Sequence, residues 1–340
     1  MNRILFLPLI ALVTASLPSL AQPSDSKSSQ ETAKTYTRQG DYANAIVVLT
    51  GAIQKDAQNP ELLKDLAFNY YLQRDYAKGI NTARPLTERP DADVQSYQIL
   101  AMNYKAIDEV KECEKLYKTG IKKFPKSGVL YNEYGEMLWA RQDFTAIKQW
   151  EKGIEVDPNY SSNYYNAAKY YFLTYDKVWS LLYGETFINL ESYSRRTVEI
   201  KDLLLEGYKK LFTETDILKH QNTKSPFVAA YLNIISKLTF TVAGGVTAES
   251  LTTLRTKFIL NWFETYPANF PFRLFDYQRQ LLKEGMYNAY NQWIFGAAQD
   301  LPAFQTWSNA HADDYARFTN FQKGRIFKLP DGQYYQVASK

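Results

Sequence analysis

The chain has little of what most catalytic and metal-binding sites are built from. It holds one cysteine and two histidines in 340 residues. A single cysteine cannot close an intramolecular disulfide, and with so few thiol and imidazole ligands neither a zinc site nor a Cys/His nucleophile system is expected. Charge of one sign is missing as well, since 40 Lys+Arg stand against 36 Asp+Glu, a net charge of +4. That balance, with no basic stripe, gives no reason to expect nucleic acid as a partner. Past the first 21 residues, no stretch approaches the length and apolarity of a membrane helix. Phosphate-cradling loops are absent too. Gly244-Gly245 spells neither a dinucleotide nor a phosphate motif, and Thr247 with Glu249 behind it reads as helix-start chemistry. His311, Asp313 and Asp314 lie close together but make a poor metal set without further ligands, and fit a solvated helix face beside Arg317. No cofactor and no catalytic residue are assigned.

The first 21 residues have the anatomy of a secretory leader. Arg3 gives the positive start, residues 4–13 an apolar core, and Ser19-Leu20-Ala21 a small-x-small cleavage site before Gln22. No cysteine follows that site, so a lipoprotein anchor is not expected. An uncleaved N-terminal anchor is the alternative. The expectation is an exported chain, periplasmic or extracellular, with a flexible tether over residues 22–29 and no membrane span once the leader is removed.

What is present in quantity is aromatic, with 27 tyrosines, 19 phenylalanines and 6 tryptophans, and much of it is periodic. Ala33, Ala67, Ala101, Gly135 and Ala168 are separated by 34, 34, 34 and 33 residues. Three positions later Tyr36, Tyr70, Tyr104, Leu138 and Tyr171 keep that step. Tyr42, Tyr76, Val110 and Phe144 follow, then Ala45, Gly79, Cys113 and Ala146. Helices approach closely only where side chains are small, and rings fill the space beside such crossings. Cys113, standing in a small column, is therefore expected in the core rather than as a reactive thiol. Gly40-Asp41 and Arg74-Asp75 supply turns, Asp41, Asp75 and Asp143 can cap the following helices, and Pro125 and Pro158 close two units.

This pattern resembles the tetratricopeptide repeat, a helix–turn–helix unit of about 34 residues. The resemblance implies an all-α, right-handed helical solenoid over residues 30–192, in units at about 26–59, 60–93, 94–127, 128–160 and 161–192. The fourth is one residue short near Phe144. In the fifth, Lys177 stands where an aromatic is expected. Pro85 should kink or end the second helix of the second unit.

Residues 193–340 keep helical periodicity without the 34-residue register. Helices are expected at 196–213, 225–242, 247–266, 273–285, 286–298 and 302–322, although residues 238–242 are β-prone enough for a strand. Residues 326–337 read as a short C-terminal β-hairpin folding back on the helices through Ile326, Phe327 and Leu329.

In the tetratricopeptide family the first helix of each unit lines a concave face that holds protein or peptide partners. Carried over by register, the inward positions are Lys64, Phe68, Tyr71 and Leu72, then Met102 and Lys105, then Asn132, Glu136 and Trp139, then Tyr165, Lys169 and Phe172. Exposed rings in a groove are good peptide anchors. The family's Lys/Asn/Lys/Arg clamp for a C-terminal carboxylate is not matched, because Phe68 and Met102 stand where it wants polar residues. The groove is either open or filled from within by the C-terminal helices. The expected function is a non-catalytic scaffold of the cell envelope that binds a protein or peptide. The competing class is an envelope enzyme, a paired-carboxylate hydrolase among the options, or a small-ligand receptor, with its site in the C-terminal region.

Overall fold

Every regular element among the described residues is a helix. The computed structural model describes residues 24–336 except 214, 215 and 220, so the expected leader, His220 and residues 337–340 lie outside it. The chain divides into two compact units, one through Glu109 and one from Val110 onward. Among the described residues no helix is long and apolar enough to cross a membrane.

The first unit is built from α1 (Ser24–Arg38), α2 (Tyr42–Lys55), α3 (Pro60–Leu72), α4 (Tyr76–Glu88) and α5 (Val94–Ala106), with α1 packed on α2, α3 on α4, and α5 on both α3 and α4. The small columns lie at the crossings: Ala33, Ala45, Ala67 and Ala101 are buried. A Cβ added at Gly79 would stand 2.0 Å from Asn103 Oδ1, so α4 and α5 meet where no side chain fits. Two expectations need correction. Ser24–Arg38 is one helix, so residues 24–29 are its first turns and not a tether. Pro85 does not end α4, which runs on to Glu88.

The turn within each repeat is cut to one pattern. Gly40, Arg74, Asp108 and Gln142, spaced 34 apart, all take left-handed backbone at φ 77°, 66°, 56° and 60°. For residues other than glycine this conformation costs about 1–2 kcal/mol. Repeated hydrogen bonds offset it: the amides of Asp41, Asp75, Glu109 and Asp143 donate to the carbonyls of Tyr36, Tyr70, Tyr104 and Leu138 at 2.9, 2.9, 3.0 and 3.0 Å. Asp41 and Asp75 then accept from Asn44 N and Lys78 N and cap α2 and α4.

The second unit opens with α6 (Val110–Lys123), α7 (Gly128–Ala140), α8 (Ala146–Val156), α9 (Ser161–Leu173), α10 (Lys177–Leu190) and α11 (Arg195–Leu211). Cys113 and Ala146 are buried, as their column requires. A Cβ on Gly135 would come within 2.4 Å of Trp150 Nε1, and that indole N–H donates to Asn132 O at 3.2 Å. Ser180, in the small column of the fifth repeat, is buried and donates to Ala168 O at 3.0 Å. Lys177 replaces the expected aromatic because its ammonium donates to the carbonyls of Phe172 and Thr174, closing the C-terminal end of α9.

The remaining helices are α12 (Pro226–Ile235), which tightens into a 3-10 turn over Ser236–Val242, then α13 (Ala248–Thr265), α14 (Arg273–Lys283) and α15 (Tyr287–Asn291). A π-helical turn at Gln292–Gly296, α16 (Ala297–Gln299), α17 (Leu301–Ala310) and α18 (Ala312–Gly324) complete the set. Residues 238–242 are thus helical rather than a strand. The helix expected over 302–322 is two, broken at His311. A buried polar cluster joins these helices to α10. Glu185 Oε1 accepts from Arg255, from Gln278 Nε2 at 2.6 Å and from Tyr290 Oη at 2.8 Å, and Arg255 also donates to Asn291. The Arg255–Glu185 pair is almost wholly buried.

The C-terminal β-hairpin is not formed: the described residues contain no strand, and residues 325–336 hold no regular element beyond a turn at Asp331-Gly332. Its two arms bind different neighbours instead of each other. Asn159 donates to Leu329 O at 3.0 Å and accepts from Leu329 N at 2.9 Å, taking the backbone groups a ladder would use. Phe327 packs edge-on against Tyr277, and Tyr335 stacks on Phe227 with centroids 4.7 Å apart. Phe327 and Leu329 are buried as expected, whereas Ile326 is exposed.

Candidate functional site

The inward positions of the first unit lie as follows. Lys64 is only 3% exposed and its ammonium is held by Glu61 at 2.6 Å and Asp93 at 2.7 Å. Phe68 and Tyr71 are half-buried and stacked, with centroids 6.3 Å apart, and Phe68 borders a cavity of about 170 Å³ beside Thr37 and Asp65. Leu72 and Met102 are half-buried, and Lys105 is exposed.

In the second unit the expected residues come together. On α7, the buried Asn132 donates to Glu136 at 3.0 Å and accepts from Asn166 of α9 at 2.9 Å, a bond between positions 34 apart. Trp139, one turn further along α7, is half-buried and sits against Trp150, Tyr170 and the exposed Phe144. On α9, Tyr165 donates to Glu199 of α11 at 2.5 Å, and Lys169 pairs with the same carboxylate at 2.7 Å. Phe172 carries the Lys210 ammonium 3.8 Å from its ring centre.

Trp139, Lys169 and Phe172 line one cavity of about 480 Å³. Its floor is completed by Trp150, Tyr170 and Leu173, and its far wall is α11, through Glu199, Asp202, Leu203 and Glu206. Among the described residues none beyond Glu206 lines it, so this part of the groove is not filled by the described helices that follow. Burial pushes Glu199 up, but the Lys169 ammonium and the Tyr165 hydroxyl outweigh it and hold the carboxyl below its usual range. Asp202 moves the other way: burial raises it, the neighbouring Lys201 opposes, and Glu206 adds repulsion.

The α11 wall is what sequence reasoning missed. Its signal was present, because Arg195 begins α11 at a distance of 34 from Ser161, which begins α9. The bonds Tyr165–Glu199 and Ser162–Arg196 keep that separation. The register was hidden because Asp202 occupies the position where the small column would continue.

A second cavity, of about 1310 Å³, lies beside α8, α9 and the C-terminal segment, with Glu151, Tyr171, Asp176, Tyr334 and Gln336 among its lining. Burial pushes Glu151 up to about 7, with Asp176 adding repulsion and hydrogen bonds from Tyr171 and Gln336 opposing. Burial likewise pushes Asp176 up to about 6. His311 is exposed and stacked on Trp307, and Asp313 and Asp314 are exposed. Among the described residues no group of three or more His, Cys, Asp or Glu is placed to hold a metal ion.

Residues 36–102 match the family model described as Tetratricopeptide repeat, so the chain carries tetratricopeptide repeats over that stretch. Among solved structures it is similar to TTC0263, a thermophilic TPR protein of Thermus thermophilus. That match has 14% identity and a TM-score of 0.42, and covers 55% of this chain and 98% of that one. It is also similar to MamA 41-end from Desulfovibrio magneticus, at 14% identity and a TM-score of 0.38, over 51% of this chain and 96% of that one. No curated protein matches the chain.

Proposed function

We propose that the chain is a non-catalytic scaffold of the cell envelope that holds a protein or peptide partner in the groove between α7, α9 and α11. The observation that supports this reading is the aromatic cavity of about 480 Å³ lined by Trp139 and Phe172, and by no described residue that follows α11. Rings that are half-buried and already packed on one side lose little entropy when a partner covers the other. The alternative, an envelope enzyme or small-ligand receptor in the C-terminal helices, has less support. The buried carboxylate that faces those helices, Glu185 of α10, is already engaged by Arg255, Gln278 and Tyr290.

Affinity capture from envelope extract, with Trp139→Ala and Phe172→Ala compared against the parent chain, tests the groove. Each truncation is expected to weaken partner binding by ~2 kcal/mol, roughly thirtyfold. Two folded variants that keep every captured partner would show that binding lies elsewhere. The envelope assignment is supported by the sequence of residues 1–21. N-terminal sequencing of exported protein should begin at Gln22, whereas an intact Met1 in membrane fractions would support an uncleaved N-terminal anchor instead.

A further inference from the structure

The groove has a charge as well as a shape. Its lining carries three carboxylates, Glu199, Asp202 and Glu206, against one ammonium, Lys169. Lys169 and Glu199 neutralise each other at 2.7 Å, in a pair whose two members the Tyr165 hydroxyl also holds. Glu206 leans on Lys209 at 2.7 Å, but both are about half exposed, where such a pair holds weakly and opens readily. Asp202 has no hydrogen bond or ion pair with a described residue, and the cation next to it in sequence is turned away: the Lys201 ammonium lies 3.7 Å from the centre of the Trp293 ring. Lys210 covers Phe172 from a neighbouring cavity and does not line this one. The result is an aromatic hollow with two carboxylates, one turn apart on α11, left over at its edge.

Resting on the groove reading above, we infer that the partner segment places a lysine or arginine beside a large apolar side chain. The cation docks at Asp202 and Glu206, and the apolar group enters between Trp139, Tyr170 and Leu173. A cation there gains a carboxylate partner and lies close to aromatic faces, which attract it through their electron-rich rings. An acidic segment would instead meet like charge at the rim and be repelled.

A displayed library of random peptides, selected on the folded full chain, tests this. Enriched peptides are expected to carry Lys or Arg adjacent to Phe, Leu or Trp, and to bind less tightly as salt is added. Asp202→Lys, an exposed substitution that should leave the helical circular dichroism unchanged, is expected to weaken a selected peptide roughly tenfold or more. Leu173→Ala, at a side chain 69% exposed, should weaken it too without disturbing the core. Peptides that are acidic or uncharged, or that are indifferent to Asp202→Lys, overturn the charge assignment. If Leu173→Ala and Trp139→Ala still weaken them, the groove itself stands. Peptides indifferent to all three variants, or a selection that enriches none, count against the groove and the charge assignment together.

Discussion

Glu151 shows how one residue can set the pH behaviour of its surroundings. Its carboxyl accepts from Tyr171 at 2.5 Å, beneath the C-terminal segment that supplies Tyr334 and Gln336. Burial raises its pKa from 4.5 to about 7 in the folded chain. The folded state therefore holds the proton over a range in which the unfolded state has released it. Stability should fall as pH rises from about 4.5 to about 7 and then level off, with a total loss on the order of 3 kcal/mol. Asp176, raised to about 6, adds slope in the lower part of that window. Urea unfolding of the parent and of Glu151→Gln at pH 5 and pH 8 checks this. The parent should lose more stability than the variant between the two, and equal losses would show that Glu151 ionises freely in the folded chain.

At the scale of elements, legibility in the sequence followed steric necessity. The helices α1 to α10 could be read because a close crossing admits only small residues, and Gly79 and Gly135 leave no room for a methyl group against Asn103 and Trp150. Turns were legible at Gly40-Asp41 and Arg74-Asp75, but only Gly40 announces left-handed backbone. At Arg74, Asp108 and Gln142 the same left-handed backbone is held by hydrogen bonds that leave no mark on composition. Part of the cavity lining, through Trp139, Lys169 and Phe172, was reached by carrying over the family register. Its α11 wall was not, because α11 keeps the spacing of the repeats while Asp202 breaks their composition. The C-terminal segment has β-prone residues but no strand, since Asn159 occupies the Leu329 backbone groups that a hairpin partner would have used. Likewise, nothing local marks Glu185 and Arg255 as partners. They stand 70 residues apart, and each looks like an ordinary surface charge on its own helix.

For the molecule as a whole, that buried pair is the test of how firmly the C-terminal helices are tied to α10. Removing one charge strands the other away from water. Arg255→Met is expected to cost about 3–5 kcal/mol, whereas the double variant Glu185→Leu with Arg255→Met should cost less than the sum of the two single changes. A double-mutant cycle from urea midpoints measures the difference. Strictly additive losses would mean that the two groups stabilise the fold independently.

The bonds that close the second unit also impose an order on the chain's manufacture. Asn159 waits 170 residues for Leu329, Tyr171 waits 165 for Gln336, and Glu185 waits 105 for Tyr290. Each earlier helical pair finds its neighbour within a few dozen residues and can settle while the ribosome is still working. Phe227 and Tyr277, by contrast, gain their last ring partners, Tyr335 and Phe327, only once those residues have been made. Between the completion of its repeats and the arrival of residues 327–336, the chain carries its final seam open. It depends in that interval on whatever shields nascent apolar surface from aggregation.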